Sequence, residues 1–156
     1  MTDYSGLDNL LPLALPQLFL RLVMALFVGA GVGLEREIHQ KAAGLKTHMI
    51  VSLGAALFVL VPVQLGLLEN QPDALSRILQ GVITGIGFVG GGAILHDLQR
   101  PRGAKIRGLT TAATIWLSCG LGIAIACGLW DLAILTAFLA IFTLGVVKFF
   151  EERFFR

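Results

Sequence analysis

Charge is scarce in this sequence. Asp, Glu, Lys and Arg make up 14% of its 156 residues while apolar types make up 56%, and a mean hydropathy of +0.82 excludes an ordinary soluble domain. Cysteine is scarcer still: Cys119 and Cys127 both sit inside an apolar stretch, where they read as small packing residues, not as a disulfide framework or a metal pair. The histidines His39, His48 and His96 have no compact ligand spacing, which argues against a transition-metal centre. Ser52 and Ser118 have no histidine–acid arrangement around them, and neither glycine cluster is followed by Gly-Lys-Ser/Thr. Nucleophilic and phosphate-loop chemistry are therefore not expected, and the chain is not read as an enzyme. Its basic residues lack interleaved aromatics and a recognition helix, so nucleic acid is not an expected partner. Residues 1–17 hold Asp3 and Asp8 but no Lys or Arg, so a cleaved leader is not expected.

Long apolar runs are what remain. They predict five spans, at about 17–34, 49–68, 78–95, 109–128 and 131–150, each near the length that a bilayer-crossing helix needs. Pro16 suits the first turn of the first span, and residues 8–16 read as a short interfacial segment. The turn Gly128-Leu129-Trp130-Asp131 is short enough to make the last two helices close antiparallel neighbours. The phenylalanines Phe149, Phe150, Phe154 and Phe155 suit either an amphipathic end on the membrane surface or a fraying helix.

Basic residues gather in alternate loops. Arg36, Lys41 and Lys46 lie in 35–48; Arg100, Arg102, Lys105 and Arg107 in 96–107; Lys148, Arg153 and Arg156 in the tail. Asp3, Asp8, Glu69, Asp73 and Asp131 fall on the other side. The positive-inside rule then predicts an all-α, polytopic membrane bundle of five transmembrane helices with its N-terminus outside and its C-terminus cytoplasmic. The basic loops would also attract anionic membrane lipids.

The phrase Gly-Leu-x-Thr occurs at Gly44 and again at Gly108, and the spans before each copy end in glycine clusters. This is a candidate parallel repeat, 17–68 against 78–128. Threonines Thr47, Thr110 and Thr111 suit capping of exposed helix amides there.

Helices in lipid approach one another through small residues. Gly29 and Gly33, Gly81 and Gly85, Gly87 and Gly91, and the series Gly120, Ala124, Gly128 are the candidate packing positions. The third span, richest in glycine, is expected to pack centrally, backbone against backbone; a looser arrangement would make it a hinge or a permeation element. Thr110, Thr114 and Ser118 share a face of the fourth span, where bonds to a carbonyl one turn back or to a neighbouring helix are preferred to a polar path. Arg21, near the outer end of the first span, is expected to snorkel to the interface.

The strongest chemical cluster stands at the inner edge: Glu35, Arg36, Glu37, His39 and Lys41 after the first span, His96 and Asp97 after the third. Such carboxylates suit hydrated magnesium. Arg36, Lys41 and the second basic loop can instead hold them as ion pairs, which is the preferred reading, and no resident cofactor is expected.

The stretches GVGLERE at 31–37, KAAGLKTH at 41–48, GVITGIGFVGGGAI at 81–94 and IRGLTTAATIW at 106–116 resemble, in order, the membrane domain of the MgtC/SapB family. The resemblance implies that residues 1–156 form one such transmembrane domain of a bacterial inner membrane. Its pattern falls on Gly33, Glu35, Arg36, Lys41, Gly44, Leu45, Thr47, Gly87, Gly90, Gly92, Arg107, Gly108, Leu109, Thr110 and Thr111. It further implies a link to magnesium homeostasis or membrane energetics, with the membrane sector of ATP synthase as a partner. Virulence-associated members carry a soluble C-terminal domain, whereas this chain stops at Arg156; either a membrane-only member or a truncated one is expected. The leading expectation is a non-enzymatic regulatory protein, homo-oligomeric through its small-residue faces. The alternative is a small, oligomeric magnesium or other cation transporter with an acidic mouth near Glu35, Glu37 and Asp97.

Overall fold

The structure, a computed structural model, describes residues 11–68, 71–98 and 108–154. Five helices follow in order: α1 (Leu15–Ile38), α2 (Leu45–Gln64), α3 (Pro72–Leu98), α4 (Leu109–Ala126) and α5 (Trp130–Phe154). The result is an all-α bundle. Four of the helices, over Leu15–Ile38, Leu45–Gln64, Asp73–Ile94 and Leu109–Ala126, are long and apolar enough to cross a membrane, and Trp130–Val146 of α5 is a shorter apolar stretch.

Helix ends differ from hydropathy ends for a physical reason. Glu35 and Arg36 terminate an apolar window but not the backbone hydrogen-bond ladder, so α1 runs four residues past the expected 34 to Ile38. Pro16 lies in its first turn, where a missing amide hydrogen costs nothing. Three helices close the same way. Gln40 (φ 50°), Gly66 (φ 65°) and Gly128 (φ 76°) enter the left-handed region, and paired bonds follow: Lys41 N–H to Arg36 O with Gln40 N–H to Glu37 O, Leu67 to Pro62 with Gly66 to Val63, and Leu129 to Ala124 with Gly128 to Ile125. These are Schellman closures, which satisfy carbonyls that a helix end otherwise orphans. Gly128 thus turns the chain at the end of α4.

The buried face of α1 is Arg21, Ala25, Val28, Gly29, Val32, Gly33 and Arg36, a stripe at three- and four-residue spacing. It lies on α2, and α2 lies on α4. Helix α4 touches all four others and is the most enclosed. Its Leu121 and Ile125 share a core with Val28 of α1 and Ala56, Val59 and Leu60 of α2, while Phe19, Phe27, Phe58, Phe88, Phe138 and Phe142 stand outward.

The central place expected for the third span belongs to α4 instead. Helix α3 packs on α4 and thinly on α2, and only 6% of its apolar window is buried. A side chain added at Gly81, Gly85, Gly87, Gly91 or Gly92 would meet nothing within 4 Å, and the same is true of Gly120 in α4. Glycine removes bulk from a helix without obliging anything to fill the space. Buried polar groups do oblige it, because lipid cannot solvate them, and these sit on α1, α2 and α4.

Close approach inside the chain falls at Gly29, Gly33 and Gly122. A Cβ on Gly29 would lie 2.6 Å from the His48 carbonyl oxygen and 2.9 Å from Ser52 Cβ; on Gly33 it would lie 2.8 Å from Leu45 Cα; on Gly122 it would strike the Ser52 carbonyl oxygen. Ala124 is buried at 9% exposure.

Candidate functional site

Helix α1's last turn, the first turn of α2 and the first turns of α4 meet at one end of the bundle. At the C-cap of α1, His39 Nδ1 lies 2.8 Å from the Glu35 carbonyl oxygen and 2.9 Å from Glu35 Oε1, and Glu35 Oε2 lies 3.7 Å from an Arg36 terminal nitrogen. Arg36 is 3% exposed and turns inward, donating to Thr111 Oγ1 at 3.4 Å. Its Nε and Glu35 Oε2 are buried without hydrogen-bond partners. Glu37 faces the other way and accepts the Leu45 amide hydrogen at 2.9 Å. A carboxylate at the start of α2 both satisfies an orphan amide and meets the positive end of the helix dipole.

That bond explains the first Gly-Leu-x-Thr. A Cβ at Gly44 would collide with the Glu37 carboxylate, so glycine is what admits the cap. The amide expected to be capped by a threonine is capped by Glu37. The second copy uses glycine differently: Gly108 has φ +87°, and a Cβ there would lie 3.1 Å from Ala93 O and Ile94 Cα of α3. Thr47 is half-buried and Thr110 exposed, whereas Thr111 is buried and receives Arg36. Lys41 is exposed. The side chain of Asp97 and all of Arg107 lie outside the described residues, as do Arg100, Arg102 and Lys105 of the second basic loop.

Behind Arg36 a file of polar side chains enters the core. His48 is fully buried; its Nδ1 is 2.8 Å from the Gly44 carbonyl oxygen and its Nε2 is 3.1 Å from Thr114 Oγ1. Thr114 Oγ1 is also 2.9 Å from the Thr111 carbonyl oxygen, a bond toward the preceding turn. One turn deeper, Ser52 and Ser118 are fully buried and their hydroxyls have no partner. Below them the facing positions are Ala56, Val59, Leu60, Leu121 and Ile125, and the core becomes apolar.

At the far end Arg21 reappears as a buried residue. It is 5% exposed and its guanidinium donates to the Ala126 carbonyl, one of the last-turn oxygens of α4. Snorkelling was the expectation; an orphan carbonyl within reach holds the group inside instead. Beside it Gln64 clasps the segment before α1, accepting from Leu13 N–H at 2.6 Å and donating to Leu13 O at 3.1 Å.

Among the described residues no three His, Cys, Asp or Glu side chains gather as metal ligands. Glu35 lies beside His39 and Arg36, with its Oε2 lacking a hydrogen-bond partner, and Glu37 accepts from Leu45 through Oε2. Sequence reasoning passed over His48, Ser52 and Gly122. The signal for the first two was present: His48 and Ser52 are four apart on α2, opposite a hydroxyl face of α4 at Thr111, Thr114 and Ser118.

Comparison with known proteins places this arrangement. SrpB of Synechococcus elongatus is 42% identical over 136 residues, 82% of this chain and 73% of SrpB. MgtC of Salmonella typhimurium is 41% identical over 110 residues, 70% of this chain but 42% of MgtC. YhiD of Escherichia coli K12, whose name assigns it provisionally to magnesium transport, is 35% identical over 144 residues, 90% of this chain and 63% of YhiD. The chain thus spans less than half the length of the Salmonella relative. No solved structure matches. A model of the MgtC family covers residues 22–153, which takes in most of α1, all of α2 to α4 and nearly all of α5 together with both Gly-Leu-x-Thr loops; the chain belongs to the MgtC family.

Proposed function

We propose that this protein is a non-enzymatic, multi-pass inner-membrane regulator linked to magnesium homeostasis, acting by contact with other membrane proteins and with lipid. Five helices cross the membrane in this reading, the end bearing Arg36, Lys41 and Lys46 being cytoplasmic and the N-terminus outside. The magnesium link rests on the family and on the relatives' names.

One observation carries the choice of regulator over carrier. The polar file from Arg36 stops at Ser52 and Ser118, and from Ser118 to Ala126 the core of α4 is apolar except for the Arg21 bond at its end. Eight residues at 1.5 Å each make a seal of about 12 Å. A hydrated cation entering at Glu35 has no polar route past it within one copy of the described residues.

The outer surface supports a contact role. Gly81 and Gly85 of α3 stand open on an apolar groove of about 580 Å³ beside Ile50 and Phe58 of α2, and open glycines let another helix come close. A second copy of the chain is one occupant of such a face. Another is a helix of an inner-membrane complex such as the membrane sector of ATP synthase.

Cation flux in liposomes reconstituted with the intact chain tests the reading, with Glu35→Gln for comparison. Folded protein giving no magnesium flux above empty liposomes is the expected result. Magnesium-selective flux that Glu35→Gln reduces would overturn it in favour of an oligomeric transporter.

A further inference from the structure

The hydrogen count around His48 does not close for a neutral ring. His48 Nδ1 faces a carbonyl oxygen, that of Gly44, at 2.8 Å. A carbonyl only accepts, so Nδ1 carries a hydrogen. In a neutral ring Nε2 is then an acceptor, and Thr114 must donate to it across 3.1 Å. Yet the same Thr114 oxygen lies 2.9 Å from the Thr111 carbonyl, another pure acceptor. One hydroxyl hydrogen serves one of these contacts. The second closes only when Nε2 itself holds a hydrogen and donates to Thr114.

We infer that His48 is a proton-binding site built into the helix core, with Thr114 as a hydroxyl switch of two positions. In the empty state Thr114 O–H donates to Nε2. A proton from hydronium then bonds to the Nε2 lone pair as its O–H bond breaks and leaves water; the Thr114 hydrogen swings to the Thr111 carbonyl, and Nε2–H donates to the Thr114 oxygen. The Thr114 O–H bond rotates without breaking, and the site gains one positive charge.

The surroundings are arranged to register that charge. Arg36 and Glu35 of α1 are the charged groups that act on the ring, and Arg36 is held by contacts of 3.4 and 3.7 Å with its Nε unpartnered. Helix α4 presents Thr111, Thr114 and Ser118 to this region, and its single titratable side chain is Cys119. Helix α2 adds Ser52, one turn below the ring. The two unpartnered serine hydroxyls leave unused hydrogen-bonding capacity just beneath the site, where a polar environment is what a buried charge requires. A proton on His48 would push on Arg36 and so change the pairing of Glu35 with His39 at the bundle end. Occupancy is thereby coupled to the surface offered to a partner, but the binding itself stands on the core geometry alone.

Nitrogen NMR of the full chain in lipid nanodiscs tests this, with ¹⁵N-labelled histidine and His39→Asn and His96→Asn in place so that one ring reports. The expected result is a neutral ring protonated on Nδ1 that becomes doubly protonated on acidification. Thr114→Val should lower the proton affinity by about fivefold, the worth of one hydrogen bond, while Thr114→Ser should restore it. A ring that stays neutral down to the lowest pH at which the protein remains folded, or a high-pH tautomer protonated on Nε2, would overturn the proposal without any variant being made. So would a midpoint indifferent to Thr114→Val. Flux measurements read the functional proposal separately: a silent His48 with no flux sinks this inference alone.

Discussion

Two glycines of α4, two positions apart, should respond oppositely to the same substitution. At Gly122 an added methyl would strike the Ser52 carbonyl oxygen and lie 2.8 Å from its carbon and 3.0 Å from its Cα. All three atoms are backbone in the middle of α2, so no rotamer change relieves the contact, and α2 and α4 must separate by several tenths of an ångström. That separation loosens the His48–Thr114 contact and the packing of Val59 and Leu60 at the same interface. Overpacking of a core costs about 1–3 kcal/mol, and the backbone character of the obstacle puts this site at the upper end. Helix propensity gives back about 1 kcal/mol for Gly→Ala. At Gly120 nothing lies within 4 Å of the added methyl, so the propensity gain stands alone. The two alanine variants should therefore differ by about 2–3 kcal/mol, Gly120→Ala the more stable. Unfolding in SDS titrations, followed by circular dichroism, measures it. Equal stability of the two variants would refute the claim that α2 and α4 meet through Gly122.

Removing the buried guanidinium of Arg21 with Arg21→Met should cost about 1–3 kcal/mol in the same assay, since the Ala126 carbonyl is then orphaned in the core; an unchanged midpoint would mean that Arg21 faces lipid headgroups after all. Glu37→Gln keeps an acceptor for the Leu45 amide but loses its charge, and Glu37→Ala loses both, so stability should fall stepwise by about 0.5–2 kcal/mol in total, with faster hydrogen exchange at Leu45. Gly108→Ala forces a Cβ into left-handed backbone at about 1–2 kcal/mol and toward α3; the same change at Gly87, which is open, should be tolerated.

Much of the fold was legible because the spans and their loops are written in two simple alphabets, apolar runs and basic punctuation. All five helices stand where the hydropathy puts them. What hydropathy could not show is which helices enclose which. Counting glycines pointed to α3, but glycine is permissive: Gly29, Gly33 and Gly122 are filled against by α2 or its residues, while Gly81, Gly85 and Gly91 look onto open space. The deciding residues were the polar ones His48, Ser52, Thr111, Thr114 and Ser118. The α4 face of Thr114 and Ser118 was legible from spacing, and Thr114 bonds both the preceding turn and a neighbouring helix. Its partner face on α2, His48 and Ser52, becomes visible only when α2 and α4 are laid together, since pairing depends on rotation and register that one sequence does not state. Arg21 was misread for a related reason: snorkelling assumes a free helix in lipid, and the Ala126 carbonyl that competes for it lies 105 positions away.

Arg36 and Arg21 show how this bundle fixes its helices without an apolar driving force between them. In lipid, apolar burial does little to hold one helix against another, and α1 is joined to α4 at both ends by a guanidinium turned into the core: Arg36 to Thr111 at one end and Arg21 to Ala126 at the other. Fifteen residues separate the two arginines, about 22 Å of helix, and together they set the register of α1 on α4. The two clamps are unlike. Arg21 donates to a helix-end carbonyl. Arg36 makes long contacts, keeps one nitrogen unpartnered, and shares its carboxylate neighbour with His39. Among the described residues the clamp with buried, unpartnered atoms is therefore the one at Arg36, where Glu35, His39 and the starts of α2 and α4 converge.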